Sequence, residues 1–404
     1  MNRVLSWGRI GLMILVVAGG LAACGGGGVG SGGTGAPVSS SGAVSGFGSV
    51  WVDGLELDDT QARVRLDSVE GAPDIPPGQI RLGLGQRVEL EFEIDAAGRR
   101  VVSEIRISPE LIGPVTSVSP LEVGGQRVLV NTDAEQGPLT LLVGVADASA
   151  LQVGQRVEVH GLARTSGGVR EIVASRIAMV DRPGQSPWLR LGGSVAGLTP
   201  DSFRIGGLRV QRDSRTVIVP GQQALAEGQS VRVWTRGGIL GQPGDRYVEA
   251  DRIQILRRQW LPQQSVRLSG PVQDCSDAPR PPSVYVCVAD AVIERSSAQV
   301  NGGSLDDLVE GRYVDVQARY DAVLQVLREA RFELRTAASE ASIARLTGEV
   351  SGLSGSRFTV RDTFVELDAG TQRECEPANG ARVRVTGRIV GDHVRATRVE
   401  CVNP

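Results

Sequence analysis

A single phrase recurs through this chain, and internal repetition of that kind constrains the fold more than composition does. "LQVGQRVEVHG" from Leu151 is preceded by "LGLGQRVELEF" from Leu82 and followed by "LAEGQSVRVWT" from Leu225. Two looser copies, "LVEGRYVDVQA" from Leu308 and "PANGARVRVTG" from Pro377, complete a set of five. Each copy holds a glycine, two residues, and then an apolar-x-apolar alternation led by valine. A period of two marks a strand with one buried face, so Val157 and Val159 are expected in a core while Arg156, Glu158 and His160 point outward. The glycine ahead of them supplies a turn or bulge.

Two further phrases keep the same order around every copy. A glycine with a valine two residues on opens each unit, at Gly42, Gly113, Gly193, Gly270 and Gly348. An alternating strand closes each one: "SEIRIS", "ASRIAMV", "ADRIQIL", "EARFELR" and "ATRVECV". Between them lie hairpin signals such as Asp53-Gly54 and Gly206-Gly207. About five short strands per unit point to an all-β fold, a tandem array of small five-stranded barrels. One helical turn between the third and fourth strands, in "ASALQVG", "QALAEG" and "SLDDLVEG", would make the units OB-like. The stretch "DAVLQVLREARFEL" from Asp321 has helical character but reads as strand-turn-strand by analogy with the other copies. The units are expected over 42–109, 110–182, 189–257, 265–336 and 343–402.

The N-terminus carries a different signal. "MNRVLSWGR" places Arg3 and Arg9 ahead of the apolar run "IGLMILVVAGGLAA", which is too short to span a bilayer and reads as a cleaved export signal over 1–23. It ends in Leu21-Ala22-Ala23-Cys24, which resembles the bacterial lipobox. The resemblance implies cleavage after Ala23 and acylation of Cys24, with palmitate-type chains anchoring the protein in a membrane. Residues 24–41, "CGGGGVGSGGTGAPVSSS", have the Gly/Ser composition of a flexible tether. Gly25 follows the lipidated position where aspartate would favour inner-membrane retention. In a Gram-negative host this implies the outer membrane, with the body facing the periplasm or the cell surface.

Together the lipobox, the tether, "SGFGSVWVDGLELD" and the recurring "VGQRVEVHG" resemble a bacterial lipoprotein family of tandem OB-like β repeats, known as a domain of unknown function. The resemblance implies architecture and address; it brings no functional residues with it. Units four and five depart from it in carrying cysteines, and unit four also in the insertion "DAPRPPSVY".

Those cysteines number four besides Cys24, and an even number in an exported chain reads as disulfides. Of three possible pairings, the two within units are expected, Cys275–Cys287 and Cys375–Cys401. A four-cysteine zinc site would need closer pairs, since the nearest two are twelve residues apart. His160 and His393 are the only histidines, the first at a strand end and the second in a turn, in no metal-binding or catalytic pattern. Asp53, Asp58 and Asp59 lack the register of a calcium loop. The chain has no lysine, which excludes Schiff-base catalysis by lysine and a phosphate-loop lysine. No catalytic residue, cofactor site or metal site is expected.

Trp51 and Phe203 stand where OB units stack nucleic-acid bases, but the formal charge of −3 and the export signal argue against a nucleic-acid partner. A non-catalytic envelope protein is the expectation, with the units strung as a rod that binds or scaffolds another envelope protein or a glycan. Two alternatives accompany it: a small-ligand or glycan receptor using the barrel mouths, and an enzyme with a site between repeats.

Overall fold

The computed structural model describes residues 37–67, 81–166, 169–180, 188–221, 223–242, 244–256, 260–273, 275 and 284–402. Ala23, Cys24, the export signal and most of the tether lie outside the described residues. Within them the protein is all-β, and no helix is long and apolar enough to cross a membrane.

Unit two shows the plan. Its strands are Leu111–Val118, Leu121–Val123, Gln126–Val130, Arg156–Ser166 and Val169–Met179. The first pairs with the second and the second with the third, both antiparallel. The third runs parallel to the fifth, the fifth antiparallel to the fourth, and the fourth returns to the first. That ring, with the third and fifth strands parallel, is the OB order. Unit five closes the same ring through continuous ladders over Ala344–Ser354, Arg357–Val360, Thr363–Glu366, Arg382–Val390 and His393–Cys401. In the other three units the same order holds but one contact is a single pair: Asp58 with Val101 in unit one, Ala196 with Arg204 in unit three, where the fifth strand is also split into Tyr247–Glu249 and Arg252–Ile255, and Ile293 with Leu327 in unit four.

The recurring phrases meet one another in space. The phrase glycines Gly85, Gly154, Gly228, Gly311 and Gly380 have φ of +79°, +94°, +79°, +83° and +84°, a left-handed turn that favours glycine. Each donates its amide to the carbonyl of the opening valine of its own unit: Val44, Val115, Val195, Val272 and Val350, at 2.8–2.9 Å. The valine amide returns a bond to the residue after the glycine. Where that residue is glutamine, its side chain accepts the amide three residues back, as Gln86, Gln155 and Gln229 do at 2.8 Å. The phrase is therefore a turn that staples the fourth strand to the first. Single 3₁₀ turns precede it at Ala148–Ala150 and Leu305–Asp307, and the corresponding segment of unit three has none. The stretch from Asp321 is strand-turn-strand, between Tyr313–Asp321 and Val326–Leu334.

The first strand, Val38–Phe47, starts inside the segment whose composition suggests tether. Val38–Ser41 pair on one side with Phe92–Glu89 of their own unit and on the other, in parallel, with Ser265–Leu268 of unit four. A serine-rich run makes a poor strand alone; two flanking ladders override its propensity. At the other end of that strand, Gly46 and Phe47 pair with Arg345 and Leu346 of unit five. Leu111 and Ile112 of unit two likewise pair with Leu191 and Arg190 of unit three.

Units two and three accordingly share one apolar core, units one and five another, and unit four has its own. A unit of this size buries only a modest core by itself, so sharing suits it. A rod of stacked repeats would place contacts only between neighbours in sequence. Here unit one touches units four and five directly, which corrects the rod expectation.

Candidate functional site

Outward residues of the strands line the junctions between units. His160, expected at a strand end, lies within a strand that runs on to Ser166. It points away from its own barrel, as alternation requires, yet it is fully buried because unit one covers that face. Its Nδ1 accepts the amide of Arg87 at 3.1 Å, and its Nε2 lies 2.7 Å from Glu158 Oε1. The neutral ring with the proton on Nε2 satisfies both. Burial pushes the imidazole below its ordinary value of 6.5, against the pull of Glu158. Beside it, Ser175 Oγ donates to the carbonyl of Gly85 at 2.6 Å and Arg176 to that of Leu84 at 2.9 Å.

A second junction joins units one and three. Arg190, buried, donates to Asp67 at 2.8 Å. Arg232 reaches both Asp67 and Glu89 at 2.9 Å, and Ser108 Oγ at 2.6 Å. Burial works against the Arg232 charge, but the Asp67 and Glu89 carboxylates outweigh it and hold the guanidinium protonated. Glu89 and Arg232 occupy the same repeat position, four residues after the phrase glycine. Acid stands there in units one, two and four, and arginine in units three and five.

A third junction joins units one and four. Arg335 is buried and donates to Asp315 at 2.6 Å and to Asp53 at 3.0 Å, with Tyr313 beneath its guanidinium at 4.6 Å. Asp53 also accepts the Ser269 hydroxyl and the Ala43 amide. Turn duty alone is thus too small a role for Asp53, whose φ of 44° sits in the hairpin while its carboxylate ties two units. Gly42 makes room for it, since a Cβ there would come within 2.0 Å of Asp53 Oδ2.

The three aspartates do not converge. Asp58 accepts from Thr60 and pairs with Arg99, far from the partners of Asp53, and no group of three metal-binding side chains occurs among the described residues. Phe203 is core, and Trp51 lies half-buried under Arg345 at 4.4 Å, so neither offers an open ring face. Cys275 pairs with Cys287 and Cys375 with Cys401, at Cα separations of 5.3 and 5.8 Å. A cavity between units one, two and five, lined by Val44, Leu84, Pro138 and Ile343, measures about 20 Å³, room for about one water.

The open counterpart to these closed junctions is the outer face of unit five. Phe364, on the third strand, has 54% of its surface exposed. It aligns with His393 on the fifth strand, which begins there and is not the turn expected from sequence. His393 lies 3.2 Å from Glu366 and 3.0 Å from Asp392. Glu366 pairs with Arg357 at 2.9 Å, whose hydrogen bonds hold its carboxyl below the ordinary range. Val390 is exposed beside this row, and Thr359 faces Phe364 across the ladder. The result is an exposed apolar ring flanked by a carboxylate and a guanidinium, with the buried His393 imidazole against the carboxylate. Alternation identifies Phe364 as outward, but nothing in the sequence distinguishes it from the covered Trp51.

The model of a domain of unknown function (DUF5666) matches residues 112–178, 192–237 and 347–400, three regions that fall in units two, three and five and are consistent with a repeated domain. No curated protein matches the chain.

Proposed function

We propose that this is a non-catalytic, lipid-anchored envelope protein whose packed β modules bind or scaffold another envelope component. The anchor is the acylated Cys24, and with Gly25 after it the location is the outer membrane of a Gram-negative cell. The carrying observation is the contrast between faces: buried charged side chains tie unit one to units three and four, while unit five presents Phe364 inside a polar rim. An exposed aromatic in such a rim suits an envelope protein surface or a sugar ring, since it offers apolar area with hydrogen-bonding groups at its edge. In OB modules the second and third strands are the binding face, which is where Phe364 stands.

Replacing Phe364 with a photocrosslinking phenylalanine analogue in living cells tests this. One dominant envelope protein or glycan adduct is expected, lost when the neighbouring Arg357 and Glu366 are both changed to alanine. Absence of any adduct, with the protein present and folded, rejects the binding face. The anchor is tested separately: Cys24→Ser should move the protein out of the membrane fraction.

A further inference from the structure

We infer that the hairpin tip Val323-Leu324 of unit four, with Leu261 beside it, is a membrane-contact surface that seats the body on the bilayer holding its anchor. The inference rests on the reading of Cys24 as lipidated and goes beyond it by assigning an orientation.

Val323 is 91% exposed and Leu324 46%, at the tip between strands Tyr313–Asp321 and Val326–Leu334. Asp321 holds the tip in shape by accepting the amides of Val323 at 2.9 Å and Leu324 at 3.1 Å. Leu261, 60% exposed, belongs to the same end of the sheet, because Gln263 and Gln264 exchange backbone bonds with Tyr320 at 3.0 Å. Trp260 and Tyr320 pack edge to face behind this apolar rim, ring centroids 5.4 Å apart. Apolar tips backed by a Trp–Tyr pair match the chemistry of a lipid–water interface, where amphipathic rings sit at headgroup level.

The register gives the location. Val38 pairs with Ser265, and Ser265 with Arg319, so the start of the first strand lies two strands, about 10 Å, from the foot of this hairpin. Trp260 Nε1 donates to Ser39 Oγ at 3.3 Å, at the same spot. The hairpin extends past Val38 in the direction from which the chain arrives, because Tyr313–Asp321 runs antiparallel to Ser265–Gln273, and that strand runs parallel to Val38–Phe47. Cys24 is followed by residues 25–36 before the described body begins, a length that reaches at most about 45 Å. A lipid on Cys24 therefore keeps this end of the molecule, and its apolar tip, within reach of the bilayer.

Val309, 57% exposed, provides the control, because it precedes the same nine-residue strand at its opposite end, about 30 Å away. Val323→Trp and Val309→Trp are made in the full lipidated chain and bound to phosphatidylethanolamine–phosphatidylglycerol vesicles with brominated acyl chains. After subtraction of the parent's fluorescence, the signal at position 323 should fall at least twofold and that at 309 should not change. Equal quenching at both, or none at either on a vesicle-bound chain, overturns the orientation alone. An intact mass without lipid overturns it together with the anchor reading.

Discussion

Arg335 and Asp53 stand 282 residues apart in the chain and 3.0 Å apart in space. The guanidinium is buried, and a second carboxylate, Asp315, shares it. Removing one partner from such a cluster leaves an uncompensated buried charge, which costs about 3–5 kcal/mol. Arg335→Met should lower the denaturant midpoint of the protein by a corresponding amount and weaken the contact between units one and four. Arg357→Ala, which breaks an exposed pair, should leave the midpoint unchanged. Equal effects would show that burial is not what gives the Arg335 cluster its weight.

The junction at His160 predicts a pH response. Burial holds its folded value below the unfolded 6.5, so the unfolded chain binds the proton more readily. Stability is then fully present above pH 6.5 and falls as the pH drops below it, down to the lower folded value. Protonation of Nδ1 also breaks the bond from the Arg87 amide. Urea titrations at pH 7.5 and 5.5 should show the loss, and His160→Asn, whose side chain still offers an acceptor and does not titrate, should flatten it.

Two phrase glycines with the same backbone shape should respond differently to alanine. At Gly154 a Cβ meets nothing within 4 Å, leaving only the left-handed backbone cost of about 1–2 kcal/mol. At Gly85 the Cβ would also come within 2.5 Å of the Ser175 carbonyl of unit two. Gly85→Ala should therefore be the more destabilising in chemical denaturation, and it alone should raise hydrogen exchange across the junction of units one and two.

The Cys375–Cys401 bond closes a loop 26 residues long at the end of unit five. A cross-link of that length restricts the unfolded chain by about 3.5 kcal/mol. The Cys375→Ser, Cys401→Ser double variant should expose unit five to limited proteolysis before units two, three and four, whose cores are separate from it.

Much of one unit was legible from the chain. Glycine at a left-handed turn, valines alternating into a core and a fixed order of phrases follow from local rules, so Gly154, Val157 and Val159 were placed without coordinates. The cysteine pairs were legible because each lies within one unit. What joins the units was not. Alternation says that His160, Arg232 and Asp53 leave their own barrels; it cannot say whether water or another unit waits outside. The arginine at 232 is no trace of its partner, since Arg384 stands at the same repeat position in unit five and pairs with Glu400 of its own unit. The exposed ring of Phe364 is equally unmarked, because Trp51 satisfies the same pattern and lies under Arg345.

Sequence by itself determined the all-β repeat, its turn and its internal staples, because these depend on contacts within some 75 residues and on backbone preferences that act locally. Only the tertiary structure decided that Val38–Ser41 form strand rather than tether, that unit one packs against all its fellows, and which face stays open. The physical reason is that these outcomes depend on surfaces brought together from distant segments. A ladder edge or a buried charge is stable only when its partner arrives, and no local pattern records where that partner comes from.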